Sequence, residues 1–205
     1  MLNLDMTLNL VTEESVSIDV LLKVVEQAIK GGVTIVQLRE KNSSGKEFYE
    51  KAKALKELLD KYDVPLIIND RIDIAIAVNA AGVHIGQSDL PLATVKEIVP
   101  ESFIIGVSAG TLEEAKSAER DGATYIGVGS IFPTGTKGDA KLLPQGVLKE
   151  IIQSVSIPIV AIGGITLENM DTLQHKGIAG VAVVSAIMKA NNPLLVAQQF
   201  IEKFK

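Results

Sequence analysis

Ala123-Thr124-Tyr125-Ile126-Gly127-Val128, followed by Gly129-Ser130-Ile131-Phe132-Pro133-Thr134-Gly135-Thr136-Lys137-Gly138-Asp139, is a buried-strand pattern that opens into a long polar loop. The next helical pattern starts only near Pro144, so the loop is too long for a simple strand-to-helix turn. After Val128 it holds Gly129, Gly135 and Gly138, the hydroxyls of Thr134 and Thr136, the cation of Lys137 and the carboxylate of Asp139. Glycines let backbone N–H groups approach an anion closely, and lysine supplies a point charge suited to phosphate. Glycine and threonine are ordinary loop residues too. The placement decides for a binding loop, because it follows a strand in a chain whose other strands end in the same chemistry.

Outward from this unit the same alternation recurs. Apolar runs predict strands over Leu4–Val11, Val33–Arg39, Val64–Ile68, Gly82–Ile85, Phe103–Val107, Ala123–Val128, Pro158–Ile162 and Gly180–Val184. Helical spacing fills the intervals, over Ser17–Lys30, Ser44–Tyr62, Asp73–Ala80, Leu92–Ile98, Thr111–Arg120, Gln145–Ser154, Thr166–His175 and Pro193–Lys203. Ser44 with Glu47, and Thr111 with Glu114, have capping-box spacing. Strand and helix alternate with a period of roughly 25 residues, the rhythm of a (β/α)8 barrel of the α/β class. A doubly wound open sheet would require fewer repeats or a break in composition. No linker or low-complexity segment interrupts the pattern, so residues 1–205 read as a single TIM-barrel domain.

Composition supports this. Apolar residues make up 47% and aromatics 4%, so Val, Ile, Leu and Ala do the packing, as in sheets buried on both faces. A net charge of −5 argues against a general nucleic-acid surface. With no cysteine, disulfides and thiolate metal sites are excluded. The first ten residues lack a basic segment and are broken by Asn and Asp, so neither a signal peptide nor a membrane span is expected, and a cytoplasmic location is the default.

In a (β/α)8 barrel the active site lies at the C-terminal ends of the strands. Along strand two, Val36 and Leu38 are expected to face the helices, while Gln37, Arg39 and Lys41 turn toward the barrel mouth. Two cations converging there require an anionic partner. Strand three ends in Asn69-Asp70-Arg71 and strand four in His84-Ile85-Gly86-Gln87-Ser88-Asp89. Asp70 and Asp89 thus come from neighbouring strands, and such a pair suits Mg²⁺, which takes one or two carboxylates with water and phosphate oxygens. Each could instead cap the helix that follows. His84 reads more simply as a satisfied core residue than as a catalyst. Ser108 ends strand five without an evident base to make it a nucleophile. Gly163-Gly164 and Val184-Ser185 end strands seven and eight, where barrels often hold a phosphate on backbone amides. Residue chemistry therefore gives two anion sites, one cationic with a carboxylate pair and one rich in backbone donors. It points to a transferase or lyase acting on phosphorylated small molecules.

Six segments in order resemble the thiamine phosphate synthase family: Gln37–Lys41, Asn69–Asp73, Gly82–Asp89, Ile131–Lys137, Ala161–Ile165 and Val183–Ile187. That family is a (β/α)8 barrel joining 4-amino-2-methyl-5-hydroxymethylpyrimidine diphosphate to 4-methyl-5-(2-phosphoethyl)thiazole, with release of pyrophosphate. The resemblance implies that Gln37, Leu38, Arg39, Glu40, Lys41 and Asn69 bind the pyrimidine diphosphate. It implies one Mg²⁺ per active site on Asp70 and Asp89, and further pyrimidine contacts from Ser108 and Lys137. Thr134, Gly135, Thr136, Gly164, Val184 and Ser185 are implied as the thiazole phosphate site. Lys137, Ser108 and Arg39 carry the implied catalytic roles. The family's step is dissociative, with the bond to pyrophosphate breaking before the thiazole nitrogen captures the pyrimidine carbocation, so a catalytic triad is not expected. Gly129-Ser130 stands where the family often has Gly-Pro, a change expected only to soften the loop, and Lys137-Gly138-Asp139 stands where Lys-Lys-Asp is common.

The related thiazole tautomerases carry a histidine just before the phenylalanine of this loop and tend to lose the pyrimidine-diphosphate residues, whereas here Ile131 precedes Phe132 and those residues are present. A phosphosugar isomerase or epimerase would require a base in the lumen, where only His84 offers a ring nitrogen. A silent binder of thiamine phosphate would be expected to have lost ligands. The expected partners are the two small-molecule substrates, with no nucleic acid and no membrane, and homo-oligomer formation is left open.

Overall fold

The protein is described here by a computed structural model covering residues 4–14, 16–135, 141–173 and 177–205. Eight parallel strands close into one barrel in sequence order: β1 (Leu8–Val11), β2 (Ile35–Leu38), β3 (Leu66–Asn69), β4 (Gly82–Ile85), β5 (Ile104–Ala109), β6 (Tyr125–Val128), β7 (Ile159–Ile162) and β8 (Gly180–Val183). Closure is made by β1 pairing with β8, with Leu8 opposite Val181. The expected barrel is the one formed.

Alternation along each strand sorts the core into two layers. Val36, Leu38, Val83, Ile126 and Val128 point outward and are buried against the helices. Ile35, Ile67, Ile104, Tyr125, Val160 and Ala182 fill the barrel interior. A Cβ on Gly106 would overlap the Tyr125 ring, so a glycine on β5 makes room for this aromatic inside the barrel.

The helices are α1 (Ile18–Lys30), α2 (Gly45–Leu59), α3 (Ile72–Ala77), α4 (Leu92–Ile98), α5 (Leu112–Asp121), α6 (Val147–Ser154), α7 (Ser185–Met188) and α8 (Pro193–Phe204). Ser17, Ser44 and Thr111 cap α1, α2 and α5, and the Ser44–Glu47 capping box is closed in both directions. Among the described residues no helix is long and apolar enough to cross a membrane.

Two elements depart from the sequence reading. The helix expected over Thr166–His175 is absent from its described part, which holds only a 3₁₀ turn at Met170–Thr172; His175 itself lies outside the described residues. Asn169 explains this: its Oδ1 accepts from the Thr166 amide at 2.8 Å and its Nδ2 donates to the Gly164 carbonyl at 2.8 Å. Such local side-chain bonds offer the backbone an alternative to the helical ladder. Conversely, α7 forms a single turn directly after β8, where no separate helix was expected.

Candidate active site

β2 continues past Leu38 into an arm, residues 39–44, that lies over the C-terminal mouth of the barrel. The Arg39 amide donates to Thr12 Oγ1 at 3.1 Å, and the Arg39 guanidinium stands 3.9 Å from a Glu14 carboxylate oxygen. Lys41 Nζ donates to the Asp70 carboxylate at the end of β3. A cavity of about 270 Å³ opens here, and Arg39, Lys41, Asn69, Asp70, Asp89 and Ser108 line it. Six residues singled out from strand ends far apart in sequence thus converge on one space. A larger cavity of about 460 Å³ lies outside the mouth, between Glu14 and the start of α2. Volume therefore does not locate the chemistry; the convergent charges do.

Asp70 and Asp89 face one another in this cavity. Neither caps a helix: the residues before α3 and α4 are Arg71 and Pro91, with no side-chain cap. Asp89 instead folds back to accept from the Gly86 amide at 2.7 Å. Asp70 adopts left-handed backbone at φ 61°, where aspartate is among the few side chains tolerated, and its amide donates to the His84 carbonyl at 2.8 Å. Its carboxyl is pushed above the ordinary range, first by burial and then by the hydrogen bond and charge of Asp89, while Lys41 pulls the other way. Two carboxylates held together against their own repulsion form a donor set suited to a hard, oxygen-ligated cation. Among the described residues no group of three or more His, Asp or Glu gathers as a metal site.

Deeper in the barrel, Ser108 Oγ lies 2.9 Å from His84 Nε2, and His84 Nδ1 lies 2.9 Å from the Tyr125 hydroxyl. Tyr125 also hydrogen-bonds Gln37, and full burial pushes its phenol well above the usual tyrosine range. Gln37 on β2 and Ser108 on β5 are therefore joined through Tyr125 and His84. His84 is a bonded interior residue, as its sequence position implied.

The residues expected to form a second anion site lie across the mouth. The loop after β6 runs beside the end of β7, with the Ile131 amide on the Ile162 carbonyl at 3.0 Å and the Phe132 amide on the Gly163 carbonyl at 2.9 Å. This places Thr134 and Gly135 beside Gly163-Gly164. At Gly164, φ is 64° and a Cβ would come within 2.5 Å of the Pro133 oxygen, so only glycine lets the loop lie this close. Val184 and Ser185 form the junction between β8 and α7. Thr136 and Lys137 lie outside the described residues.

The geometry bears on three expectations. The Leu38 side chain is buried in the outer core, so any contact this residue makes at the mouth is through its backbone. Glu40, also expected to bind substrate, points to the helix side, where its carboxylate accepts from Lys51 Nζ at 2.8 Å and Ser43 Oγ at 2.5 Å. It braces the arm against α2. Ser130 does not soften its loop: it is buried, its hydroxyl donates to the Phe132 carbonyl at 2.7 Å, and its carbonyl accepts from the Leu143 amide at 2.7 Å. Sequence reasoning passed over Thr12, Glu14 and Tyr125. The alternation of Tyr125 with Gly127 on β6 was the available signal for the last; nothing local marked the other two.

Fold and site together define a (β/α)8 barrel enzyme with a cationic, carboxylate-paired pocket at its mouth. A model of the thiamine monophosphate synthase family matches residues 8–187, and the chain belongs to that family. It is 52% identical over 203 residues to the thiamine-phosphate synthase of Methanobrevibacter smithii, spanning 99% of this chain and 97% of the relative. It is 57% identical over 188 residues to that of Clostridium tetani, spanning 91% and 90%. The solved thiamine phosphate pyrophosphorylase from Pyrococcus furiosus superposes with a TM-score of 0.89 at 38% identity, covering 100% of this chain and 98% of that one. At such identity over nearly the whole length, the activity is that of a thiamine-phosphate synthase, a transferase.

Proposed function

We propose that the chain condenses hydroxymethylpyrimidine diphosphate with thiazole phosphate, giving thiamine phosphate and pyrophosphate, with the help of Mg²⁺. The observation that carries this is the meeting of Asp70 and Asp89 with Arg39 and Lys41 around one cavity. Two carboxylates beside two cations fit a metal-bound diphosphate better than they fit either a free anion or a free cation. When bound on Asp70 and Asp89, Mg²⁺ supplies neutralisation of the charge that grows on the departing pyrophosphate.

The protein's own groups do the rest. Arg39 and Lys41 bind the diphosphate oxygens, and Lys41, bonded to Asp70 in the structure, is placed to exchange that carboxylate for the anion. Asn69 lines the same wall. Gln37 and Ser108, fixed through Tyr125 and His84, orient the pyrimidine ring so that its reactive carbon faces the thiazole nitrogen. Thr134, Gly135, Gly164, Val184 and Ser185 hold the thiazole phosphate across the mouth, with Thr136 and Lys137 completing the loop. Breaking the C–O bond first leaves a carbocation, so the site needs charge stabilisation and alignment more than proton transfer. Ser108 Oγ lies 2.9 Å from His84 Nε2, and a step of this kind uses that pair to position the ring and not for nucleophilic attack. The reading places the enzyme in the cytoplasm, without nucleic-acid partners, in keeping with its net charge of −5.

The test is pyrophosphate release with both substrates, with and without Mg²⁺. Release that requires the metal and both substrates is expected. Tight binding of thiazole phosphate with no release would instead support a tautomerase or a silent binder.

A further inference from the structure

β1 contributes nothing to the substrate-binding set above, yet its C-terminal end grips the arm that carries both cations. Thr12, buried, accepts the Arg39 amide at 3.1 Å. Two residues on, one carboxylate oxygen of Glu14 accepts both the Lys41 amide, at 3.1 Å, and the Asn42 amide. The other oxygen faces the Arg39 guanidinium at 3.9 Å. A single side chain thus fixes the backbone of Lys41 and the head group of Arg39. From the opposite flank Glu40, tied to Lys51 and Ser43, pins the same arm to α2.

The geometry points to Glu14 as a positioning residue of the diphosphate site, holding the Arg39–Lys41 arm in its anion-binding form before any ligand arrives. An arm of six residues leaving a strand has many conformations, and ordering it costs free energy on binding unless the protein has already done so. A carboxylate accepting two adjacent backbone N–H groups is a charge-assisted clamp of the stronger kind. Its negative charge also holds the guanidinium close to the mouth without filling the place the diphosphate takes. The inference rests on the diphosphate reading of this cavity, and it adds a residue from a strand that reading leaves idle.

The test uses the full chain as Glu14→Ala and Glu14→Gln, with two readouts. Amide hydrogen exchange needs no ligand: the Lys41 and Asn42 amides are expected to exchange about tenfold faster in Glu14→Ala, and near the wild-type rate in Glu14→Gln, which keeps an acceptor oxygen. Calorimetric binding of inorganic pyrophosphate with Mg²⁺ needs no turnover: its Kd is expected to rise about tenfold in Glu14→Ala and to recover in part in Glu14→Gln. Unchanged exchange at Lys41 and Asn42 in Glu14→Ala would overturn the clamp. Faster exchange with unchanged pyrophosphate affinity would overturn its role in binding. Wild-type protein that fails to bind pyrophosphate would overturn the diphosphate site itself, an outcome distinct from either.

Discussion

Asp70 and Asp89, from the ends of adjacent strands, line one cavity at the barrel mouth, where burial and then the closeness of Asp89 raise the Asp70 carboxyl, while Lys41 Nζ donates to Asp70 from the β2 arm. Arg39, the other cation of this cavity, faces Glu14, so one ammonium stands against two carboxylates until a proton or a cation joins them. That incomplete balance is what a divalent cation with a diphosphate would complete.

Asp70→Asn tests this without disturbing the backbone, since asparagine also tolerates φ 61°. Pyrophosphate release is expected to fall by about a hundredfold or more, as charge stabilisation of the leaving group is lost. Thermal stability is expected to stay within about 1 kcal/mol of the wild type, because one buried charge and one repulsion disappear together. Near-normal turnover would remove Asp70 from the metal site.

Lys51 and Glu40 make an ion pair in which the Lys51 side chain is 12% exposed and the Glu40 side chain 1%. Lys51→Ala leaves the Glu40 carboxylate buried without its cation. Loss of one partner of such a pair costs about 3–5 kcal/mol. Urea unfolding is expected to show a loss of that order, and Lys51→Ala with Glu40→Gln together is expected to recover part of it. An unchanged midpoint for Lys51→Ala would show that Ser43 alone suffices to hold Glu40.

Much of this was legible in the chain because parallel barrels repeat one short-range pattern. Strand alternation alone turned Gln37, Arg39 and Lys41 away from Val36 and Leu38, and the order of strands alone made Asp70 and Asp89 neighbours. What stayed hidden depends on side-chain reach across loops. Glu40 keeps the outward parity of Val36 and Leu38, and alternation gives no sign that its carboxylate finds Lys51, eleven residues on. Glu14 reads as one of two adjacent surface glutamates until the β2 arm is folded over it. The helix expected at Thr166 failed because Asn169 spends its amide on Thr166 and Gly164. Apolar periodicity carries no trace of that competition.

Gly164 joins the fold to the proposed thiazole phosphate site. A Cβ there would meet the Pro133 and Phe132 carbonyl oxygens at 2.5 and 2.7 Å, at a φ that favours glycine. Gly164→Ala is expected to push the Phe132–Thr134 segment away and to cost about 1–3 kcal/mol in stability. The KM for thiazole phosphate is expected to rise about tenfold, while the KM for the pyrimidine diphosphate changes less than about twofold. Equal rises in both would mean that the loop serves the whole mouth and not one site.

Tyr125 gives a prediction that depends on pH. Burial inside the barrel raises its phenol above the ordinary value, and Gln37 only partly opposes this. The neutral form is therefore favoured by the folded state. As pH rises past about 10, an unfolded chain ionises its tyrosines freely while folded Tyr125 keeps its proton. The folded state then binds more protons than the unfolded one, so this contribution to stability is full below that pH and is lost progressively above it. Tyr125→Phe is expected to flatten the alkaline fall in unfolding free energy while lowering stability at neutral pH by about 1 kcal/mol, through the lost bond to His84. The measurement is denaturant unfolding of both proteins from neutral pH to the alkaline limit. Curves of equal alkaline slope would place the ionisation that governs that limb elsewhere, with Tyr62 and its bond to Glu26 the next group to test.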